Sequence, residues 1–364
     1  MNPVIAVRAA TEHGTPLVVV DEETMERNLA RMAELARGNA VRLRPHAKTH
    51  KSVEVARRQL AHGAAGLTVA TLTEAETFAA SGVDDILIAH PPVGEGKLRR
   101  LGALAGRVRR LAVALDDAGV AGRVPEKVEI LWEVDTGLHR IGTPPGRASV
   151  DAVVELVRLT GPERFRGLTT HAGHAYRAKE DAERREAAAQ EVVGLLETAE
   201  GLRAMGVAVR ELSIGSTPTV GLHPLEGITE VRPGTYVYGD ANQVALGSQR
   251  LEDCALAVAA TVVSTPAPDR AVVDAGSKVL SADLRVPGMP DFGIVLERPH
   301  LHVARLSEEH AVLTADGATG LSIGDVVAII PTHVCTTVNL NSELALVSAE
   351  GGVRWLRVDA RGWR

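Results

Sequence analysis

The sequence predicts an α/β protein: a (β/α)8 TIM-like barrel over residues 12–245, followed by an all-β domain over residues 246–364. Three observations carry this. From about residue 16 to 240, short β-rich runs alternate with helix-like stretches, as in parallel βαβ units. About eight such units close a barrel, although an open sheet fits the same alternation. After about residue 245 the β-rich runs are separated by Pro, Gly and Asp, with no helix of convincing length between them.

The elements follow in order. Residues 16–20 (PLVVV) read as a buried strand, and Asp21 offers an N-cap to the amphipathic stretch 24–37. Residues 41–44 form the next strand, with a helix over 52–62. Strand 66–70 precedes a helix over 72–81, and strand 85–89 precedes one over 95–104. Residues 111–115, 128–134, 165–170 and 211–214 supply further strands, the last two separated by the Ala- and Glu-rich helical stretch 177–205. In the second domain the strands are 258–263, 271–274, 301–306, 311–314 and 326–330, and residues 1–11 can add one more.

Composition narrows the function. A chain of 364 residues with 45% hydrophobic and 24% charged residues is ordinary for a globular protein. A net charge of -6 argues against nucleic acid or an anionic membrane as the main partner. No apolar stretch reaches the ~20 residues of a membrane span, and the N-terminus lacks the basic and apolar regions of a secretory signal. Two cysteines, Cys254 and Cys335, make no disulfide framework and point to a reducing, cytoplasmic location. Aromatic residues are only 2% of the chain, so each is worth locating.

Chemistry-bearing residues gather where strands end, at the pole where barrel enzymes keep their chemistry. His46-Ala47-Lys48-Thr49-His50 follows strand 41–44, just before a helix expected to begin near Lys51. A lysine desolvated there can form a Schiff base; a phosphate-binding or merely basic loop is the other reading. Asp135-Thr136-Gly137-Leu138-His139-Arg140 closes strand 128–134. Arg140 can bond an oxyanion such as a phenolate, or pair with Asp135 to brace the loop. Thr170-His171-Ala172-Gly173-His174-Ala175-Tyr176 sets two histidines and a tyrosine among small residues, open to a flat ring, with His171 equally suited to a structural role. Gly215-Ser216-Thr217-Pro218-Thr219 can cradle a phosphate dianion or serve as an ordinary turn. Arg232-Pro233-Gly234-Thr235-Tyr236-Val237-Tyr238-Gly239-Asp240 adds another close-approach glycine with hydroxyls beside it. All three tyrosines lie in these last motifs, a placement hard to attribute to core packing.

In the β domain, Pro331-Thr332-His333-Val334-Cys335 follows strand 326–330. If the chain stays extended, residues i and i+2 share a side, and an imidazole and a thiolate face one ion. That donor pair suits Zn²⁺ and leaves open positions. A buried cysteine and a surface histidine are the plainer reading.

Taken together, Arg-Pro-His-Ala-Lys-Thr-His, Val-Asp-Thr-Gly-x-x-Arg-x-Gly, Thr-His-Ala-Gly-His-x-Tyr, Gly-Ser-Thr-Pro-Thr, Arg-Pro-Gly-Thr-Tyr and Pro-x-His-x-Cys occur in an order that resembles one family. It is the fold-type III pyridoxal-phosphate (PLP) enzymes of alanine racemase type, and within them the eukaryotic-type D-serine dehydratases and D-threonine aldolases. The resemblance covers nearly the whole chain. It implies a PLP-binding barrel in which Lys48 is the Schiff-base lysine and Arg140 partners the phenolic oxygen. Gly215, Ser216, Thr217, Gly234 and Thr235 become the phosphate cradle, with Tyr176 a further cofactor contact and Arg232 and Tyr236 both candidates at the pyridine nitrogen. His333 and Cys335 become ligands of zinc, with manganese or another divalent metal as the alternative.

The resemblance further implies a homodimer and a small D-amino acid substrate. The expected activity is that of a D-serine ammonia-lyase, a PLP- and zinc-dependent D-serine dehydratase releasing pyruvate and ammonia. D-threonine aldolase and D-threo-3-hydroxyaspartate dehydratase are the alternatives within the family, and a non-catalytic PLP-homeostasis protein is the alternative from another class.

Overall fold

The computed structural model describes every residue except Leu284, Trp363 and Arg364. The chain divides into two compact units. One comprises Met1–Arg31, Thr49–Glu54 and Thr235–Arg361; the other is built from Met32–Lys48 and Val55–Gly234.

The second of these is the barrel. Its eight strands are all parallel, in the order Arg42–Leu43, Glu230–Val231, Glu211–Ile214, Phe165–Thr169, Glu129–Glu133, Arg110–Leu115, Asp85–Ile88, Leu67–Val69. The two ends of that order meet: His46 bridges to Thr68, Ala47 N donates to Thr68 O at 2.8 Å and Thr68 N to Pro45 O at 2.9 Å. The sheet is therefore closed, as the alternation predicts.

One strand differs from expectation. Residues 16–20 read as a barrel strand, but Leu17–Asp21 lies in the other unit, antiparallel to Leu256–Ala267 and parallel to Glu343–Val347. Asp21 does cap the following helix, accepting from Thr24 N at 3.0 Å. A strand buried along its whole length carries no sign of which sheet it will enter. The missing barrel strand is Glu230–Val231, two residues long and too short for any periodicity to reveal.

The N-terminal end of the barrel is sealed by charge. Arg44 Nε donates to Glu230 Oε2 at 2.8 Å and its Nη1 to Asp85 Oδ1 at 2.6 Å. Arg110 bonds Glu129 at 2.6 Å and Glu211 at 2.9 Å, and Arg166 and Arg42 reach Glu211 at 3.0 Å each. Six of the eight strands begin on one of these carboxylates or guanidinium groups; Arg44 follows the strand Arg42–Leu43, and Arg166 is the second residue of Phe165–Thr169. Burial opposes the charge on Glu211, yet Arg110 holds its carboxyl below the usual range. Gly66 is required here, since a Cβ would strike Arg44 Nη1 and the Asp85 carbonyl.

In the other unit, the strands Arg270–Val273, Ala311–Thr314, His302–Leu306, Gly293–Val295, Val326–Pro331 and Leu256–Ala267 run antiparallel, and the last pairs back onto the first to close a second barrel. Residues 1–11 add no strand: Pro3–His13 is a helix, started by Asn2 accepting from Val4 N at 3.0 Å and by proline at the first turn. Among the described residues no helix is long and apolar enough to cross a membrane.

Candidate active site

At the C-terminal end of the parallel barrel, the wall stops at the His46 bridge and the chain turns, leaving Lys48 half-buried two residues on. Lys48 N–H donates to His46 Nδ1 at 3.4 Å, which puts the neutral ring's proton on Nε2. Burial first, and then the charges of Lys48 and Arg232, hold His46 well below its ordinary pKa. His171 is its mirror. Its Nδ1 donates to Gly215 O at 2.7 Å, leaving Nε2 with the lone pair. Burial, followed by the Lys48 charge, pushes it down to about 3. Lys48 thus emerges beside two neutral imidazoles of opposite tautomer.

Arg140 is exposed, but its charge reaches His46, His171 and Glu133 at this end of the barrel. The expected alternative, an Asp135–Arg140 brace, is not the arrangement present. Asp135 instead accepts from Gly137 N at 3.0 Å, His139 N at 2.9 Å and His139 Nδ1 at 2.9 Å. Arg232 is buried, with Nε donating to Ser213 Oγ at 2.9 Å and Nη2 to the Thr170 carbonyl. It is anchored to the ends of two neighbouring strands.

Gly215, Ser216, Thr217 and Gly234 are all buried in this unit. A Cβ on Gly215 would lie 2.6 Å from Arg232 N, so only glycine lets the two segments approach. The Gly215 N–H is not spare, however. It donates to Glu191 Oε1 at 2.9 Å; the same oxygen accepts from Ala172 N at 3.2 Å, and Thr219 Oγ1 donates to Oε2 at 3.0 Å. Glu191 comes from the helix Asp181–Ala204 and is 1% exposed. Tyr176 is half-buried in the 3₁₀ turn Gly173–Arg177, and His174 packs on Gly137 and donates Nε2–H to Gln190 Oε1 at 3.2 Å.

Two acidic groups here escaped the sequence reading. Glu191 left no local trace, because its partners lie 19 to 28 residues away. Glu133 ends its strand 6% exposed, and burial pushes its carboxyl up to about 7 against the pull of Arg232 and Arg140. Its ordinary value is 4.5, so between that pH and about 7 the native state holds a proton that the unfolded chain has released. This group's contribution is therefore present below the unfolded pKa and lost as pH rises through the folded one. Glu133→Gln should remove that loss. The stability of the variant minus that of wild type, from urea unfolding, should rise with pH across this window by up to about 1.4 kcal/mol per unit. A flat difference would mean that Glu133 is ionised throughout.

The other unit holds the remaining candidates. The extended register expected for His333 and Cys335 is not what forms. His333 is the last extended residue (φ -136°, ψ 102°) and Cys335 lies in the first turn of the helix Val334–Leu340. Asp240, fully buried, accepts from Val334 N at 3.1 Å and from Gln243 N at 2.9 Å, starting two helices at once. The pair is nonetheless in contact, since a side-chain hydrogen bond to Cys335 is among the influences on His333. Cys335 Sγ lies 3.2 Å from Thr49 Oγ1 and 4.0 Å from Thr235 Oγ1. Thr49 is the residue after Lys48. His333 Nδ1 lies 2.6 Å from Asp283 Oδ2. Tyr236 and Tyr238 are 2% and 0% exposed. Lys51 also departs from expectation: it is buried, has φ +49° and precedes the helix Val53–Ala61 instead of belonging to it.

Known proteins resemble this chain over nearly its whole length. The alanine racemase N-terminal domain family matches residues 20–242 and the serine dehydratase domain family matches 255–347. A D-threo-3-hydroxyaspartate dehydratase of Delftia sp. is 36% identical, covering 96% of this chain and 98% of its own. A D-threonine aldolase of Arthrobacter sp. is 35% identical (96% and 93%), and a D-serine dehydratase of Dictyostelium discoideum 30% identical (93% and 94%). The solved Delftia dehydratase superposes with a TM-score of 0.87 at 34% identity over 96% of this chain and 98% of that one. Structures of D-threo-3-hydroxyaspartate dehydratase mutants include a histidine-to-alanine change and, in a metal-free form, a cysteine-to-alanine change two residues further on. With one domain family over its barrel, the other over its β-rich domain, and such relatives end to end, the chain belongs to the alanine racemase-like, fold-type III family of pyridoxal-phosphate enzymes that carry a serine dehydratase domain.

Proposed function

We propose that this chain is a PLP- and metal-dependent lyase that dehydrates a D-3-hydroxy amino acid, with D-serine as substrate and pyruvate and ammonia as products. The observation that carries the reading is the contact of Cys335 Sγ with Thr49 Oγ1 at 3.2 Å, Thr49 being the residue that follows Lys48 in sequence.

The residues fit both groups. The buried hydroxyls of Ser216 and Thr217, next to a glycine whose position leaves no room for a Cβ, suit a phosphate. Gly234 is a further candidate for that cradle. For the metal, His333 and Cys335 supply one nitrogen and one sulfur. Among the described residues no group of three or more His, Cys, Asp or Glu forms a ready cage. Two protein ligands with open positions are what a catalytic site needs, and the N/S set favours zinc over manganese.

Bound PLP supplies an electron sink for negative charge at Cα. A divalent metal supplies Lewis acidity toward the β-hydroxyl. The protein does the rest. Lys48 would carry the cofactor and move the Cα proton on one face only. Arg140 would offer its guanidinium to the phenolic oxygen, and Tyr176 would line the cofactor. His46 and His171, held neutral, present one N–H and one lone pair without adding charge beside Lys48. Arg232, fixed to the barrel wall, and Tyr236 are the candidates at the ring nitrogen.

The test is a panel of D-serine, D-threonine and D-threo-3-hydroxyaspartate scored for pyruvate, glycine and oxaloacetate. Pyruvate from D-serine, with none at a comparable rate from L-serine, is the expected result. Oxaloacetate as the main product would favour D-threo-3-hydroxyaspartate, the second reading, supported by the 36% identity to that dehydratase. Glycine would make the chain an aldolase. No turnover with PLP bound would make it a homeostasis protein. The fold-type III enzyme is further proposed to act as a cytoplasmic homodimer, measurable by sedimentation.

The metal gives a separate prediction. Chelation, or Cys335→Ala, should cut pyruvate formation by about a hundredfold or more, since a Lewis acid contributes several kcal/mol to hydroxide departure. The visible absorbance of the bound cofactor should persist. Undiminished activity after verified metal removal would refute the catalytic metal.

A further inference from the structure

A metal-binding histidine must choose one ring nitrogen, and its backbone alone does not choose for it. His333 has a well-fixed backbone. Its carbonyl accepts from Thr336 Oγ1 at 2.9 Å and Thr337 Oγ1 at 3.2 Å, and the next residue's N–H is held by Asp240. None of these contacts touches the imidazole. Asp283 does, with Oδ2 at 2.6 Å from Nδ1.

Resting on the metal reading above, we infer that Asp283 is a positioning residue for the metal site: its carboxylate takes the Nδ1–H of His333, so that Nε2 is the nitrogen presented to the cation. A carboxylate can only accept, so Nδ1 carries the proton in this contact and the neutral ring keeps its lone pair on Nε2. A carboxylate behind a ligating imidazole fixes the tautomer, orients the ring and raises its basicity as a ligand. The carboxylate is itself held. Asp283 N donates to Ser281 Oγ at 3.2 Å, and Ser281 has φ +69° at the end of the short helix Ser277–Leu280. Thr337 Oγ1 donates to Leu280 O at 3.0 Å, which pins the Asp283 loop to the helix that carries Cys335. Asp283 lies 50 residues from His333 in sequence, so no local motif joins them.

The arrangement separates the residue's role from that of a third ligand. A positioning acceptor can be replaced in part by an amide oxygen, whereas a ligating carboxylate loses its charge with the change. The experiment is zinc titration of metal-stripped, PLP-loaded enzyme against a chromophoric chelator, for wild type, Asp283→Asn and Asp283→Ala. Melting temperature and cofactor absorbance report on folding and PLP binding. Asp283→Ala should weaken zinc binding by about 10- to 100-fold. Asp283→Asn should lose less, with both controls close to wild type. Equal zinc affinity in Asp283→Ala and wild type would overturn the inference. So would an equal loss in both variants, which would make Asp283 a ligand. A wild type that takes up no zinc or other divalent cation would instead bring down the metal reading itself, and the inference with it.

Discussion

Lys48→Ala should lower turnover by at least about a thousandfold if, as proposed, Lys48 is both the cofactor's anchor and the group that moves the Cα proton. Borohydride reduction of the wild type should leave the pyridoxyl label on the Lys48 peptide, and the variant should take none. Lys51→Ala is the informative control. Lys51 lies three residues on, buried and in a left-handed conformation, with its carbonyl accepting from Ala360 N at 2.9 Å. Replacing it should cost stability but leave the label in place. The barrel wall ends at the His46 bridge, so Lys48 is the lysine that leaves the strand end beside the two neutral imidazoles. A label on Lys51 would refute the assignment.

The largest stability effect is expected at the other end of the barrel. Arg44→Ala should destabilise the fold by about 3–5 kcal/mol, because it leaves two buried carboxylates without their shared partner. Arg44 has 2% of its side chain exposed, Glu230 0% and Asp85 10%. Arg147→Ala is the matched control: its side chain is 91% exposed and pairs with Asp151 on the surface, so its loss should cost under about 1 kcal/mol. Urea unfolding of the two variants measures the contrast directly. If Arg44→Ala stays within about 1 kcal/mol of wild type, the charged seal is not what closes the barrel floor. Activity is not the readout, since the carboxylates that Arg44 holds, Asp85 and Glu230, sit at the starts of their strands.

The two ends of the barrel were unequally legible. The candidate site residues were singled out because each motif is compact: His46 and Lys48, Gly215 to Thr217, or His333 and Cys335 sit within a few residues of one another. Their residue types therefore state a chemistry without reference to anything distant. The floor could not be read. Arg44 meets Glu230 across 186 residues and Asp85 across 41, and in sequence each looks like a solvated charge. The His333–Cys335 pair shows a third case, in which two residues come together for a reason other than the one expected. Alternation along an extended chain suggested that they share a side. They come together instead because Asp240 stops the strand and starts a helix between them.

By itself, the sequence determined what depends on near neighbours: most of the succession of strands and helices, the Asp21 cap, and the gathering of chemistry-bearing side chains at strand ends. Tertiary structure decided what depends on partners that no local pattern names. It sent Leu17–Asp21 into the antiparallel sheet and recruited Glu230–Val231 in its place. It engaged the Gly215 N–H with Glu191 from 24 residues away and set Asp283 behind His333. The physical reason is common to all four. A buried strand edge, N–H or imidazole must find a hydrogen-bond partner, but its own sequence specifies only that need. Which distant group meets it is settled when the chain packs.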